Sequence, residues 1–382
     1  MPLYLRGYTV AAGGQMLRRA FLAVTLLCWS GAALGADIVD ATGRTVVVPE
    51  QVARVLPAGP PAAVLLAALA PDLMLGWPQP LSPEARAYLS PEAARLPQVP
   101  RLTGHADVTA EIAALQPDLI VDYGTVSPRY SDLARTTRQR TGIPTILLDG
   151  SLQRIPQAFR TLGRALHREA RAAVLADFAA ALLALPTAGA IRPTPTASQP
   201  TPGAIRPMPT ASQPTPGAIR PTPTAAQPRP AGTHPRVLCA RGADGLTVIA
   251  PDTDLAEVFT RLGWQVVAPP GQGPFRAATP EQVRALNPDR LVFSDPAMRA
   301  TLAAPDWQAL PAVRDGHALV APALPFGWIE EPPSINRLLG LAWLSGRDPI
   351  TLAAIFNAVV YGKVLTPAQL QADLAGVHAV TP

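Results

Sequence analysis

The 382-residue sequence predicts an α/β protein of two lobes joined by a single long helix. Three observations carry this. Short apolar strand runs alternate with helical patches on both sides of a proline-dense tract. A long amphipathic helical pattern stands just before that tract, and one segment of the first half is echoed in the second. Such alternation implies mainly parallel sheets covered on both faces. An apolar content of 48% over this length is enough for two ordinary cores.

Residues 1–36 come first. Arg18 and Arg19 precede the apolar run Ala20 to Trp29, and the small residues of GAALGA end at Ala36. That is the layout of a secretory signal peptide cleaved near Ala36, and an apolar run of about ten residues is too short to span a bilayer. An uncleaved anchor is the competing reading. Beyond this segment Cys239 is the sole cysteine, so neither an intrachain disulfide nor a Cys/His metal site is expected. The formal charge of +5 includes three arginines and no acid in residues 1–36. Residues 186–235 carry four more arginines and again no acid, which leaves the folded parts near −2 and argues against a nucleic-acid groove.

The first lobe is expected over residues 37–152, with strand runs Arg54–Leu56, Leu73–Trp77, Asp118–Tyr123 and Thr145–Asp149. Over 153–185, Ile155, Phe159, Leu162, Leu166, Ala170, Val174, Phe178 and Leu182 recur at three- and four-residue steps. The spacing predicts one helix of about thirty residues, about 45 Å long, opening at Pro156 and stopping at Pro186. Residues 186–235 hold three near-identical 14-residue units beginning at Gly189, Gly203 and Gly217. Proline recurs too often there for helix or ladder, so the tract is expected to be an extended insert, read either as a spacer or docking tract or as a neutral expansion. The second lobe, 236–382, is expected to place strands at Arg236–Arg241, Gln265–Pro269, Arg290–Asp295 and Ala318–Pro322. Its helices are expected at Asp254–Leu262 and Ser334–Ser345.

The echo lies between Thr109-Ala-Glu111 leading to Gln116-Pro117-Asp118 and Thr279-Pro-Glu281 leading to Asn287-Pro288-Asp289. Each predicts a short helix with an acid in its first turn, a proline break and a buried strand. An acid at a helix start is favourable on dipole grounds alone.

DATGRTVVVPEQVARVL (40–56), EIAALQPDLIVDYG (111–124), TGIPTILLD (141–149) and IPQAFRTLGRALHREARAAVLADF (155–178) occur in that order, followed by ATPEQVRALNPDRLVFSDP (278–296) and NAVVYGKVLTPAQLQADL (357–374). Together they resemble the periplasmic solute-binding proteins of ABC importers for iron chelates and corrinoids. These have two Rossmann-like lobes bridged by one helix, the class III architecture. The resemblance implies a monomer that captures an iron–siderophore or related metal chelate and hands it to an inner-membrane permease, with no cofactor and no chemistry of its own. Corrinoid, haem and oxyanions such as molybdate are the other ligands it implies. It also implies that Glu281, and with a one-residue shift in register Glu111, pair with permease arginines; helix stabilisation is the alternative role for both.

Ligands of open parallel sheets bind beyond the carboxyl ends of the strands. Those ends offer Trp77, His105, Tyr123, Arg129 and Tyr130 in the first lobe, and Arg241, Phe275, Phe326, Trp328, Glu330 and Asn336 in the second. Arg129 and Arg241 suit an acidic chelate or oxyanion, with surface solvation as the plainer role. Trp328 is expected to be held out by the stiff PFGWIEEPP loop as a flat apolar face, or else to pack between strand and helix. Tyr123 and Tyr130 suit a siderophore or haem, though Tyr123 also suits sheet packing. His105 stands without a second His or Cys nearby, which is weak for a metal. Two other function classes make different demands on the sequence. An exported α/β enzyme would need a motif such as G-x-S-x-G, H-E-x-x-H or a P-loop, and none is present. An envelope interaction protein would use the proline tract and leave the cleft empty.

Overall fold

The computed structural model describes residues 35–104, 107–185, 234–374 and 377. The expected signal peptide, nearly all of the proline-dense tract and His105 lie outside them. A β-hairpin, β1 (Ala36–Val39) and β2 (Thr45–Val48), leads into a parallel three-stranded sheet of β3 (Val55–Pro57), β4 (Leu119–Gly124) and β5 (Thr145–Asp149). The expected strand Leu73–Trp77 is reduced to isolated pairs, Val55 with Met74 and Trp77 with Gln98, because the run changes partner midway. Around this sheet lie α1 (Pro60–Leu69), α2 (Thr109–Ala114) and α3 (Pro128–Thr141). Helix α1 is buried on nearly every side, as its unbroken apolar sequence PPAAVLLAAL requires.

The expected single rod is instead a helical hairpin of α4 (Ile155–Leu166) and α5 (Glu169–Leu183). The chain reverses at His167, whose backbone is left-handed at φ 52°. Arg160 on α4 pairs with Asp177 on α5 at 2.8 Å, whereas seventeen residues of straight helix would separate them by about 25 Å. Gly163 permits the close crossing, since a methyl group there would collide with the Ala172 side chain. The apolar stripe misleads because both limbs face one core and the repeat happens to run in phase through the turn. Helix α5 reaches both lobes. Its Arg171 donates to the Ala68 carbonyl of the first lobe at 3.1 Å and to the Val359 and Val360 carbonyls of the second at 2.7 and 2.8 Å.

The second lobe is built on β6 (Arg236–Arg241), β7 (Thr247–Ile249), β8 (Gln265–Val266), β9 (Phe275–Ala277), β10 (Arg290–Phe293) and β11 (Ala318–Val320). The order is β11-β10-β6-β7-β9, with β8 pairing the start of β6. Strands β6, β8, β10 and β11 are parallel; β7 and β9 add an antiparallel edge absent from the sequence-based assignment, each only three residues long. The helices are α6 (Glu257–Arg261), α7 (Pro280–Leu286), α8 (Arg337–Leu344), α9 (Pro349–Val360) and α10 (Pro367–Asp373), with shorter turns between them.

The internal echo is a repeated joint. Gln116 and Asn287 both take positive φ, 45° and 42°, before their prolines. The following aspartates then cap a neighbouring strand: Asp118 accepts the Ala53 and Arg54 N–H groups, each at 2.8 Å, and Asp289 accepts the Arg236 N–H at 2.7 Å. One hydrophobic core runs from the β1–β2 hairpin through α4 and α5 to β6, α8 and α9, with a smaller cluster beside each sheet. Cys239 is buried in β6. Among the described residues no helix is long and apolar enough to cross a membrane.

Candidate functional site

Between the lobes, at the carboxyl ends of the parallel strands, lies a cleft of ≈ 680 Å³. This is where loops of open α/β sheets converge. Tyr123 and Gly124 end β4 on one wall, and Arg129 and Tyr130 open α3 above them. Thr103 joins this wall because its N–H bonds the Ala58 carbonyl just beyond β3, at 3.0 Å. The floor is made by the exits of β4 and β5, where Gly150 donates to the Gly124 carbonyl at 2.8 Å. A side chain on Gly150 would overlap the Gly124 backbone, so the floor is bare peptide.

Arg241 ends β6 on the opposite wall. Its guanidinium lies 4.3 Å over the Phe275 ring, 3.5 Å from Glu330 and 3.8 Å from Glu331. The Ser294 hydroxyl, just past β10, donates to Glu330 at 3.0 Å. Burial and the Glu331 charge push the Glu330 carboxyl up to about 7, against the pull of Arg241. Asp122, at the end of β4, is pushed up by burial to about 6. Burial also raises the Tyr123 phenol, whose hydroxyl has no hydrogen-bond partner among the described residues. On the first wall the Arg129 guanidinium stands 5.7 Å from the Tyr130 ring.

Tyr123, Arg129, Tyr130, Arg241, Phe275 and Glu330 are thus brought together on the cleft. Four expected contacts are not. Trp77 is buried, donates its indole N–H to the Ala93 carbonyl at 2.8 Å and packs on Phe326, with ring centroids 5.6 Å apart. Phe326 lies in the core between Trp77 and Tyr361, its edge reaching a shallow depression beside the cleft. Trp328 is 1% exposed and packs edge-on against Trp343. The loop is closed by Gly327 N–H to the Glu331 carbonyl at 2.7 Å, which turns the indole inward and presents Glu330 and Glu331. Asn336 holds the loop by donating to the Gly327 and Pro332 carbonyls. Ser334 leaves its helix uncapped and donates instead to the Pro61 carbonyl of the other lobe at 2.8 Å.

Glu111 and Glu281 stand exposed in the first turns of α2 and α7, away from the cleft. The Glu281 carboxyl is held below its usual range by its own backbone N–H and by Thr279, and it pairs with Arg284 at 2.8 Å. Asp122, Arg101, Asp254 and Arg337 line the cleft without having been assigned to it from sequence. Two had a visible signal: Asp122 is the one charge inside the apolar strand LIVDYG, and Arg337 opens the otherwise apolar helix RLLGLAWL. Among the described residues no three His, Cys, Asp or Glu side chains converge to hold a metal ion.

No family model and no curated protein matches the sequence. The fold is matched by solved structures. An ABC transporter solute-binding protein from Sulfurospirillum deleyianum is 20% identical with a TM-score of 0.71, over 88% of this chain and 98% of its own. The molybdate periplasmic binding protein MolA of Haemophilus influenzae is 16% identical with a TM-score of 0.60, over 87% and 99%. CeuE of Helicobacter pylori, solved with Ni(II) bound, is 12% identical with a TM-score of 0.56, over 88% and 99%. The chain therefore has the class III fold of periplasmic solute-binding proteins of ABC transporters.

Proposed function

We propose that this chain is the solute-binding component of an ABC importer, which captures a metal chelate of the iron–siderophore type in the periplasm and delivers it to the permease. The observation that carries the reading is the interlobe cleft itself, with Tyr130 and Phe275 beside Arg129 and Arg241. A volume of ≈ 680 Å³ falls within the range of pockets that enclose whole small molecules. A bare oxyanion such as molybdate would leave most of it as water, which favours the larger chelate over the oxyanion that MolA binds. Aromatic faces and guanidinium forks suit a ligand that is partly flat and partly anionic.

The protein acts as a monomer that closes modestly on its ligand and performs no catalysis. The signal-peptide layout of residues 1–36 supports the periplasmic location, and Glu281 with Glu111 is the pair that meets the permease. Titration with ferric hydroxamate, catecholate and citrate complexes, followed by tryptophan fluorescence, tests the capture step. One of these classes is expected to bind at micromolar concentration or below, and Tyr130→Ala with Arg129→Ala to weaken it at least tenfold. Absence of binding across all three classes would remove the chelate reading.

A further inference from the structure

We propose that Arg241 and the Glu330–Glu331 pair form an anion-exchange subsite: an anionic group of the ligand takes the guanidinium from the two carboxylates, and Glu330 takes up a proton from solvent as it does so. This rests on the cleft being the ligand site.

The geometry is that of a cation held loosely and facing outward. Arg241 contacts Glu330 at 3.5 Å and Glu331 at 3.8 Å, well beyond the 2.7–2.9 Å of a tight charge-assisted bond. Its side chain is 38% exposed and rests on Phe275, so one edge of the fork remains open to the cleft. Two carboxylates on one guanidinium leave a net negative group, which would repel an arriving anion unless one of them is neutralised. The carboxylates are not equivalent. Glu331 is 44% exposed and keeps water, while Glu330 is 2% exposed, and desolvation disfavours its charged form. Ser294 satisfies Glu330 in both states, because its hydroxyl donates to the carboxylate and can accept from the protonated acid.

Cys239, on β6, is held as the neutral thiol by burial and by the Glu330 and Glu331 charges, so it adds no charge beside Glu330. In the ligand-free cleft burial and Glu331 already raise Glu330 to about 7 against the pulls of Arg241 and of the Ser294 hydrogen bond, and an anion that takes Arg241 removes the larger of the two. Asp122, raised to about 6 by its own burial, also lines the cleft, on the other wall. The subsite therefore selects chelates with a carboxylate or catecholate edge and net negative charge over neutral trihydroxamate complexes.

The test uses the mature protein labelled with 13C at glutamate side-chain carboxyls. One resonance is expected to titrate near neutrality, to disappear in Glu330→Gln and to move to higher pH on adding sulfate. A Glu330 titration in the ordinary carboxylate range, or one unmoved by sulfate, would overturn the proposal. In parallel, calorimetric titration of ferric citrate in buffers of different ionisation enthalpy reads the proton directly. Uptake of a proton is expected, with affinity falling about tenfold per pH unit between pH 7.5 and 8.5 and levelling in Glu330→Gln. Ferric citrate bound without proton uptake overturns the subsite and leaves the chelate reading intact. A sulfate-linked rise at Glu330 with no chelate bound supports the subsite and removes the chelate reading.

Discussion

Arg337 and Glu257 meet at 3.2 Å beneath the cleft, and through them the two lobes are tied at the point where the chain leaves β5. The same Glu257 oxygen accepts the Leu152 N–H at 2.7 Å, and Arg337 donates to the Gly150 carbonyl at 2.7 Å and the Asp254 carbonyl at 2.6 Å. Glu257 stands in the first turn of α6, yet its carboxylate reaches across to the other lobe.

Glu257→Gln keeps an acceptor for Leu152 and removes the charge opposite a guanidinium that is 1% exposed. An unpaired buried cation is costly, so the variant is expected to lose about 3 kcal/mol of stability in urea denaturation. A loss below about 0.5 kcal/mol, within the range of ordinary surface substitutions, would mean that the tie holds nothing.

Gly163→Ala separates the hairpin from a continuous rod by the sign of its effect. In a straight helix the exchange would stabilise by about 1 kcal/mol. Against Ala172 across the α4–α5 crossing it is expected to destabilise by about 1–3 kcal/mol, as overpacking does. Thermal or chemical denaturation reads the sign.

Stability is expected to depend on pH in the direction set by raised carboxyls. Glu330 moves from 4.5 to about 7, and Asp122 from 3.8 to about 6, both chiefly through burial. The folded state therefore holds protons that the unfolded chain releases. That stability is complete below about pH 4 and is lost as pH rises to about 7, after which the profile is flat. Glu330→Gln is expected to reduce the slope, by roughly 1–3 kcal/mol across the window. A profile that rises between pH 5 and 7 in the wild type and is unaltered by the substitution would contradict the assignment.

Glu281→Arg reverses an exposed charge remote from the cleft. Chelate affinity is expected to stay within twofold while uptake by cells carrying the cognate permease is lost. A fall in affinity in place of uptake would assign Glu281 to the ligand.

The legible parts of this chain are those where one residue type has one physical use. The Gln116-Pro117-Asp118 and Asn287-Pro288-Asp289 joints and the β4 and β10 strands stand where their chemistry predicts, and Arg241 lies at a strand end bordering the cleft. The misread parts had two uses. The α4–α5 stripe fits a rod and a hairpin equally, since helical periodicity is blind to a two-residue reversal in phase with it. Trp328 in a proline-stiffened loop fits a ligand face and a core anchor equally; the Gly327 to Glu331 closure, a backbone matter, turns it inward. Glu257 and Arg337 each look local because their partners lie 80 to 187 residues away in the chain.

Native mass spectrometry of the protein recovered from the periplasm of the cells that encode it tests the central claim most directly. The expected result is a one-to-one complex with a metal-bearing small molecule, its absorbance travelling with the protein and lost when Arg241→Gln and Tyr130→Ala are combined. A mass equal to the bare polypeptide in the wild type, or a complex that survives both substitutions unchanged, would contradict it.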